Sequence, residues 1–416
     1  MAEDSKQKHI LIIETPRTGT GLKIIETALA LRYQVSFITE DVEKYRIAYG
    51  LDNALIHLGN RIHTVASVAD LPSVVQLARA LHAKEPIDAV FSLIDRSIEA
   101  AAAVSEALSL KHLSLESARN CLQKDRMRAI CQEAGIRIPR FRVVTSEGEL
   151  SKIAEEWKFP FILKSSRGMG SMEVRLVRHE SEMGSMFRLI KKLADANRGN
   201  VLAEELLKGP LFSAESLTVD GRTKILGYSN RIMGKVPSFV EVCVGFPAIL
   251  SPNFSKECED LIQNTLRALR FNHGACHTEF ILTEKGPAIV EVNPRLAGGY
   301  SSWAISESYG ASIFEELFRM SLGQKSQWPE VPLFGCVDYW IYSPISGTLK
   351  EIRGVNLVRT FPGVEKLEIA AKVGDLIQPP VDWKGYLGVL LIKSGNAALA
   401  ESCAHAALSY LEFVVE

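Results

Sequence analysis

The chain has 416 residues, of which 47% are hydrophobic, and its formal net charge is −1. A chain of this length and composition is expected to fold into two to four globular domains with substantial cores. The near-neutral charge and the lack of a basic tract argue against nucleic acid or an anionic membrane as the main partner. Any polyanion that binds must therefore be small.

Seven cysteines are scattered along the chain, and none forms a Cys-x-x-Cys pair. This pattern indicates neither a disulfide framework nor a zinc site. The N-terminus has no signal-peptide pattern, and no apolar stretch approaches the roughly 20 residues of a membrane span. We therefore expect a cytoplasmic protein without membrane contact.

The first hundred or so residues alternate between strand and helix patterns, which predicts a parallel α/β domain. The strands are predicted at 9–13, 34–39 and 88–93, and the helices at 22–32, 73–84 and 96–108. Gly19-Thr20-Gly21 resembles part of a dinucleotide-binding fingerprint, but the third glycine of G-x-G-x-x-G is missing. A plain strand-to-helix turn is therefore favoured over an NAD site.

A glycine- and serine-rich loop follows the apolar strand predicted at 159–164, which ends in Lys164. Glycines let backbone N–H groups wrap an anion, and the serine hydroxyls and the lysine add donors. A flexible hairpin turn is the alternative interpretation, since no Gly-Lys-Ser/Thr of a Walker A loop follows. Lys124 stands just before a helix predicted at 125–134. The loop residues that could contact an anion are Ser165, Ser166, Gly168, Gly170 and Ser171.

The next segments predict a strand at 201–207, a connector, and an alternating strand at 211–219. Residues 229–247 are polar and rich in turn residues, and this composition predicts a long loop that contains Glu241. A helix is predicted at 255–269, before a hairpin.

The hairpin around residue 285 carries the clearest chemical signal. If Glu284-Lys285-Gly286 is a three-residue loop with Gly286 in the left-handed conformation, Thr283 faces Pro287. Counting back along both strands then places Glu279 opposite Glu291. Cross-strand neighbours lie roughly 5 Å apart, so the two carboxylates repel unless a cation lies between them.

The same register places His277 opposite Asn293, and alternation puts both on the face of the two glutamates, together with Arg295. Hard oxygen ligands without a Cys/His cluster favour Mg²⁺, which completes its shell with waters and substrate phosphates. The alternative is a solvated face of an amphipathic hairpin. Asn293, Arg295 and the glycines that follow argue against that alternative.

Taken in order along the chain, these residues resemble the ATP-grasp superfamily of carboxylate–amine ligases. They are most similar to the L-amino-acid ligase branch, with its His-x-Glu at 277–279 and Glu-Val-Asn-Pro-Arg-Leu-Ala-Gly-Gly at 291–299. The resemblance covers nearly the whole chain and implies an α/β and α+β architecture, the ATP-grasp fold. The implied parts are an N-terminal parallel α/β domain at 1–115, linker helices and a lid subdomain that binds ATP at 116–205, the ATP-grasp core at 206–333, and a small C-terminal subdomain at 334–416.

The resemblance also implies how ATP is bound. Lys124 and Lys164 would bind the phosphates, and the 165–171 loop would close over them. Glu204 would accept the adenine amino group, with the backbone of Glu205, Leu206 and Leu207 reading the rest of the ring edge. Many relatives place a ribose-binding glutamate where this chain has Leu211, and Glu215 is the candidate substitute.

For the reacting groups, the resemblance implies that Glu279, Glu291 and Asn293 hold two Mg²⁺ ions. Arg295, with Lys164, would stabilise the acyl phosphate and the oxyanion formed on amine attack. His277 is either a substrate contact or structural. Further substrate contacts are predicted at Glu241, which would pair a substrate ammonium, and at Gly298, Gly299, Ser301 and Ser302, with a solvated loop as the alternative.

The implied reaction is an ATP-dependent amide bond formation between a small carboxylic acid, often an amino acid, and an amine. It would pass through an acyl phosphate and release ADP and phosphate, in the biosynthesis of a small peptide-like metabolite or a siderophore. Two alternatives stay open: a carboxylase-type enzyme that uses bicarbonate, and a catalytically silent ATP-binding partner protein. The sequence leaves a homodimer open.

Overall fold

A computed structural model of the chain describes residues 7–168, 173–235 and 239–416. Its N-terminal part is a parallel sheet with strand order β3-β2-β1-β4, which confirms the predicted parallel α/β domain. Strand β1 is buried over its whole length, as expected when helices cover both faces of a parallel sheet. The elements are β1 His9–Ile13, α1 Lys23–Ala30, β2 Gln34–Thr39, α2 Glu43–Tyr49, β3 Ile62–Thr64, α3 Leu71–Lys84, β4 Ala89–Phe91 and α4 Asp95–Ala107.

Two linking helices lead into a small antiparallel sheet with strand order β5-β8-β6-β7. This sheet has a core of its own, in which Phe161 and Leu163 pack against Phe187 and Ile190 of helix α8. The elements are α5 Leu115–Leu122, α6 Lys124–Glu133, β5 Phe141–Val144, α7 Glu147–Trp157, β6 Phe161–Ser165, β7 Val174–Val177, α8 Glu180–Ala196 and β8 Val201–Glu205.

The rest of the chain is organised on one antiparallel eight-stranded sheet with the order β13-β12-β9-β10-β11-β14-β18-β16. It continues past residue 334, the predicted start of the C-terminal subdomain, because β14 pairs with β11; the predicted domain boundaries stay predictions. The elements are β9 Leu211–Val219, β10 Arg222–Met233, β11 Glu241–Phe246, α9 Pro252–Ala268, β12 Gly274–Thr283, β13 Gly286–Asn293, α10 Ser301–Tyr309, α11 Ile313–Ser321, β14 Gly335–Tyr342, β15 Gly347–Arg353, α12 Val355–Arg359, β16 Val364–Ile369, β17 Leu376–Ile377, β18 Tyr386–Ser394, α13 Ala397–Leu408 and β19 Glu412–Val415.

The prediction of a long loop at 229–247 is wrong. Strands β10 and β11 pair through most of this segment, and they are separated only by residues 234–240. Ser229 and Arg231 lie in β10 and point into the protein interior rather than into solvent. Because these strand residues are polar, the composition of the segment resembled that of a loop. Polarity alone does not separate a loop from a strand that lines a polar cleft.

The hairpin of β12 and β13 has the predicted register at its important end. Glu279 lies opposite Glu291, and His277 lies opposite Asn293. The predicted pairing of Thr283 with Pro287 is wrong, because Thr283 pairs with Gly286 across a two-residue loop. A bulge between the Glu279 and Phe280 pairings adds Val290 on one strand and restores the count. The predicted loop was one residue too long, and the bulge was not predicted. These two errors cancel, so the register at Glu279 and Glu291 is correct.

Arg128 of helix α6 holds this bulge in place. Its guanidinium is fully buried and donates to the carbonyls of Ile289 at 3.2 Å and Val290 at 2.8 Å. Its Nε also donates to Glu204 at the end of β8, at 2.9 Å. One side chain thus joins the small sheet to the irregular part of the hairpin.

We expect Arg128→Met to lower the free energy of unfolding by about 3–5 kcal/mol, because it leaves buried polar partners without their cation. Urea denaturation would measure the change. The control is Arg188→Met, whose ion pair with Glu147 is exposed and should contribute at most about 1 kcal/mol. Equal stabilities of the two variants would contradict a structural role for Arg128.

Candidate active site

Two lysines lie where the small sheet approaches the hairpin. Lys124 is the first residue of α6 and bonds to the Glu291 carboxylate at 2.9 Å and to the Gly168 carbonyl at 2.6 Å. Lys164, near the end of β6, bonds to Glu204 at 2.7 Å. Both are nearly fully buried. The structure therefore brings together the two lysines that the sequence separates by forty residues.

The two lysines differ in electrostatic balance. Burial lowers the pKa of Lys164 to about 8, and the attraction of Glu204 does not offset burial and the neighbouring cations Arg128 and Lys124. Burial also acts against the charge of Lys124, but there the attraction of Glu291 outweighs it and the pKa is raised. Arg128 and Lys164 share the single carboxylate of Glu204, so positive charge is in excess at Lys164.

Glu204 has both carboxylate oxygens engaged by cations, one by Arg128 and the other by Lys164. Its predicted contact with the adenine amino group would have to share these oxygens, and it stays a prediction. Glu205 is exposed and accepts the backbone N–H of Arg140. Leu206 and Leu207 follow it as half-buried residues where the chain leaves β8.

The predicted phosphate loop lies partly outside the described residues, as Gly170 and Ser171 do. Ser165 and Ser166 are buried, and the hydroxyl of Ser166 accepts the backbone N–H of Asn200 at 2.8 Å. The described start of the loop is thus tied to the neighbouring strand connection.

The hairpin face carries alternating charges. The His277 ring bonds to Glu215 through Nδ1 at 2.9 Å and to Glu279 through Nε2 at 3.2 Å. Burial acts against its charge, but the two carboxylates outweigh burial and raise the pKa of His277 to about 9. Burial likewise disfavours charge on Glu279, yet Arg231 and His277 lower its pKa to about 2. His277 is therefore a cation between two carboxylates at neutral pH.

The Glu215 carboxylate is bound by neighbouring protein groups. It is buried, and its carboxylate also accepts the Ser213 hydroxyl at 2.8 Å. Its predicted role as the ribose partner stays a prediction, with no support from these contacts.

The predicted magnesium ligands are Glu279, Glu291 and Asn293. The two carboxylates are cross-strand partners, and Asn293 lies two residues further along on the same face. Within the described parts of the chain, no group of three or more His, Cys, Asp or Glu has metal-binding geometry. Two carboxylates and one amide nevertheless fit Mg²⁺, which takes few protein ligands and keeps waters and phosphate oxygens.

Arg295 is oriented by Asp95, the first residue of α4. Its Nε and Nη2 donate to the two Asp95 oxygens at 2.5 and 2.7 Å, and Nη1 donates to the Leu296 carbonyl at 2.9 Å. The sequence analysis did not identify Asp95. Its position just after β4 could have indicated it, because ligand sites lie at the carboxyl ends of parallel strands.

The glycine segment after the hairpin packs on the N-terminal turn. Gly19 has a positive φ of 62°, and a Cβ there would lie 2.2 Å from the Gly299 carbonyl oxygen. The backbone N–H of Thr20 donates to that oxygen at 3.1 Å, and the Thr20 hydroxyl bonds to that of Ser302 at 2.6 Å. This contact gives the Gly19 turn a packing role.

Gly298 lies in the same segment, and its carbonyl accepts the backbone N–H of Ser301 at 3.3 Å. Both Ser301 and Ser302 are buried in the first turn of α10. The predicted contacts of these residues with substrate stay predictions, and the Ser302 hydroxyl already has a partner.

Arg231 links the hairpin to strand β11. Its Nη2 lies 3.6 Å from Glu279 and forms a closer ion pair with Glu241. The predicted substrate partner Glu241 is therefore already paired. Burial raises the pKa of Glu241 despite that pair. Sequence reasoning missed the role of Arg231 because it placed this residue in a loop.

Comparisons with known proteins identify two domains in the chain. An ATP-grasp domain is matched over residues 157–303, and the L-amino acid ligase C-terminal domain 2 is matched over residues 339–416. The L-arginine-specific L-amino acid ligase of Bacillus subtilis is 22% identical over 326 residues, which cover 77% of this chain and 78% of that protein.

Two solved structures show the same fold. The L-amino acid ligase from Bacillus licheniformis has a TM-score of 0.81 at 23% identity and covers 99% of both chains. The biotin carboxylase domain of the Hydrogenobacter thermophilus 2-oxoglutarate carboxylase, in complex with MgADP, has a TM-score of 0.71 at 18% identity, over 98% of this chain and 91% of that one.

Residues 157–303 match the ATP-grasp domain and the chain has the ATP-grasp fold, as the sequence predicted. Residues 339–416 match the C-terminal domain 2 of the L-amino acid ligases, which confirms the predicted resemblance to that branch. The predicted enzyme class, an ATP-dependent carboxylate–amine ligase, is confirmed at the level of this family.

The low pKa of Lys164 predicts a pH-dependent affinity for nucleotide. The lysine is charged below pH 8, and its attraction for phosphate should weaken as the pH rises through about 8, by up to about tenfold per unit. Calorimetric titration of MgADP between pH 6.5 and 9.5 would measure this loss.

Lys164→Arg is the control, because arginine stays charged over this range and His277, which also titrates near pH 9, is unchanged. Parallel pH profiles for the wild type and Lys164→Arg would assign the titration to another group.

Proposed function

We propose that this chain uses ATP to join a small carboxylic acid, often an amino acid, to an amine. The acid is first phosphorylated by the γ-phosphoryl group of ATP, and the amine then attacks the acyl phosphate, so ADP and phosphate are released. One observation carries the proposal: Lys124 pairs with Glu291, which lies opposite Glu279, and Lys164, paired with Glu204, lies close enough to Lys124 for their charges to repel.

The chemistry follows from the charges. A free carboxylate is a poor acyl donor because its leaving group is oxide, and phosphorylation supplies a better one. Lys124 and Lys164 would bind the phosphates, and Arg295 would bind the developing negative charge, held in position by Asp95. When bound at Glu279, Glu291 and Asn293, Mg²⁺ would neutralise phosphate charge. No protein nucleophile is needed.

Each alternative has a feature against it. A carboxylase using bicarbonate would match the fold of the biotin carboxylase neighbour, but the C-terminal domain matched here is that of the L-amino acid ligases. A silent ATP-binding protein has no need for a positioned Arg295, whereas here a bidentate Asp95 pair fixes its guanidinium.

Its setting is part of the proposal. We place the reaction in the cytoplasm, in the biosynthesis of a small peptide-like metabolite or siderophore. All seven cysteines are free, and six of them are buried, which agrees with a reducing compartment. No described helix is both long and apolar enough to cross a membrane.

Glu291→Gln should reduce turnover by about 100-fold or more, because it removes a ligand charge for Mg²⁺ and the partner of Lys124 while keeping side-chain volume. Donor-dependent ADP release would measure it. Glu284→Gln, at the exposed tip of the same hairpin, is the matched control and should behave as wild type. Near-wild-type turnover of Glu291→Gln at saturating Mg²⁺ would remove the metal assignment.

The order of chemistry is tested by trapping. With ATP and the acid but no amine, hydroxylamine should capture the activated acid as a hydroxamate, and ¹⁸O in the carboxylate should appear in inorganic phosphate. These results are expected because one carboxylate oxygen forms the C–O–P bridge of the acyl phosphate. That oxygen leaves with the phosphate when the carbonyl carbon is attacked. Stoichiometric AMP and pyrophosphate would overturn the acyl-phosphate route in favour of an adenylate.

A further inference from the structure

Glu215 is a buried carboxylate to which the proposed reaction gives no role. It lies within β9, is 3% exposed, and accepts the hydroxyls of Ser213 at 2.8 Å and Ser229 at 3.5 Å. Neutral donors alone offset little of the cost of removing a charge from water. A nearby cation is therefore expected, and His277 of the neighbouring strand supplies it.

The pairing of β9 with β12 places His277 directly opposite Glu215. Nδ1 of the ring lies 2.9 Å from one Glu215 oxygen and 3.1 Å from the other. Two contacts to one carboxylate fix both the position of the ring and its rotation. Because both residues are 3% exposed, protein groups rather than bulk water set this orientation. The direction of the second ring nitrogen therefore depends on Glu215.

That second nitrogen faces Glu279. Nε2 lies 3.2 Å from Oε1 of Glu279, which is two residues further along β12. Nη1 of Arg231 lies 3.3 Å from Nε2, but a guanidinium has donors and no acceptor, so Glu279 is the acceptor for an Nε2–H. Glu279 lies opposite Ser213 in the same pairing, so the ring crosses the diagonal between Glu215 and Glu279. One imidazole thus joins the two carboxylates.

The contact with the ring bears on metal binding, because Glu279 is a predicted magnesium ligand. Glu279 lies opposite Glu291 in the hairpin, and its contact with Nη2 of Arg231 is longer than that with the ring, at 3.6 Å. A glutamate side chain has several rotatable bonds, so its oxygens keep one direction when a neighbouring group binds them. Groups that bind a metal ligand from behind orient it, and their loss commonly weakens metal binding by about 10–100-fold.

We propose that Glu215 is a positioning residue for the metal site: through the His277 ring, it holds the Glu279 carboxylate in the direction in which Glu279 binds Mg²⁺. The inference rests on the proposed function, of which the metal assignment of Glu279 is a part. It gives Glu215 a role other than ribose recognition. It also occupies both nitrogens of His277, so the ring acts on a metal ligand and substrate binding is left to other groups.

The test measures metal affinity rather than turnover. Mn²⁺ is the probe, because it accepts the same oxygen ligands as Mg²⁺ and its free concentration can be followed by electron paramagnetic resonance. The protein is titrated with Mn²⁺ in the presence of saturating ADP. Glu215→Leu removes the acceptor for Nδ1 and should weaken Mn²⁺ binding by at least about tenfold. Glu215→Gln keeps an oxygen acceptor at nearly the same volume and should restore most of the affinity.

The matched control is Ser216→Ala. Ser216 is the next residue of β9, is equally buried and donates to the Cys276 carbonyl at 3.2 Å, but its side chain lies on the opposite face of the sheet. This variant should leave Mn²⁺ affinity unchanged even if it lowers stability. The affinity for ADP without metal should be the same in every variant, because the phosphate-binding lysines are untouched.

Equal Mn²⁺ affinity in wild type and Glu215→Leu would overturn the inference, and so would equal losses in the Leu and Gln variants. If Glu215→Leu does not fold, the double variant Glu215→Leu/His277→Leu decides. It removes both charges together, leaves neither of them buried without its partner, and should show the same loss of affinity. Failure of the wild type to release ADP with any donor would instead overturn the proposed function, while the Mn²⁺ comparison would still decide the role of Glu215.

Discussion

The Arg128 guanidinium connects three parts of the molecule whose positions the chemistry requires. It is buried in α6, pairs with Glu204 at the end of β8, and donates to the carbonyls of the β13 bulge. The bulge sets the register that places Glu291 opposite Glu279. The Glu204 pair fixes the carboxylate that Lys164 also uses. The positions of Lys164 and of the opposed carboxylates Glu279 and Glu291 are therefore coupled through one planar side chain, a geometry that lysine cannot reproduce.

The site separates charge along its length. Cations are in excess near Lys164, where Arg128 and the lysine share one carboxylate, and this is the end suited to polyphosphate. Carboxylates are in excess near Asp338 and Glu241, the end suited to a positively charged group. Between them, His277 and Arg231 each bridge two carboxylates. A low effective dielectric strengthens these interactions, so the two ends of the cleft differ in the sign of the charge that they favour.

The sequence was sufficient for features that depend on neighbours along the chain. Strand alternation and the spacing within residues 277–295 predicted the face shared by the two glutamates, and the helix predicted at 125–134 is α6. It was insufficient where partners are distant. Asp95 and Arg295 lie 200 residues apart, and Arg128 and Glu204 lie 76 apart. Arg231 was missed because a polar residue in a strand cannot be told from a polar residue in a loop until the opposite strand is known.

The shared eight-stranded sheet has a consequence for how this protein can be divided. Strand β14 covers one side of β11 through four cross-strand pairs, from Cys243 with Tyr339 to Phe246 with Cys336. A chain ended before Gly335 would expose that side of β11 as a row of free backbone donors and acceptors, a template for pairing with other chains. The C-terminal part therefore covers a sheet edge that would otherwise be exposed, and it also contributes to the cleft. Experiments on the cleft are best done with the intact chain.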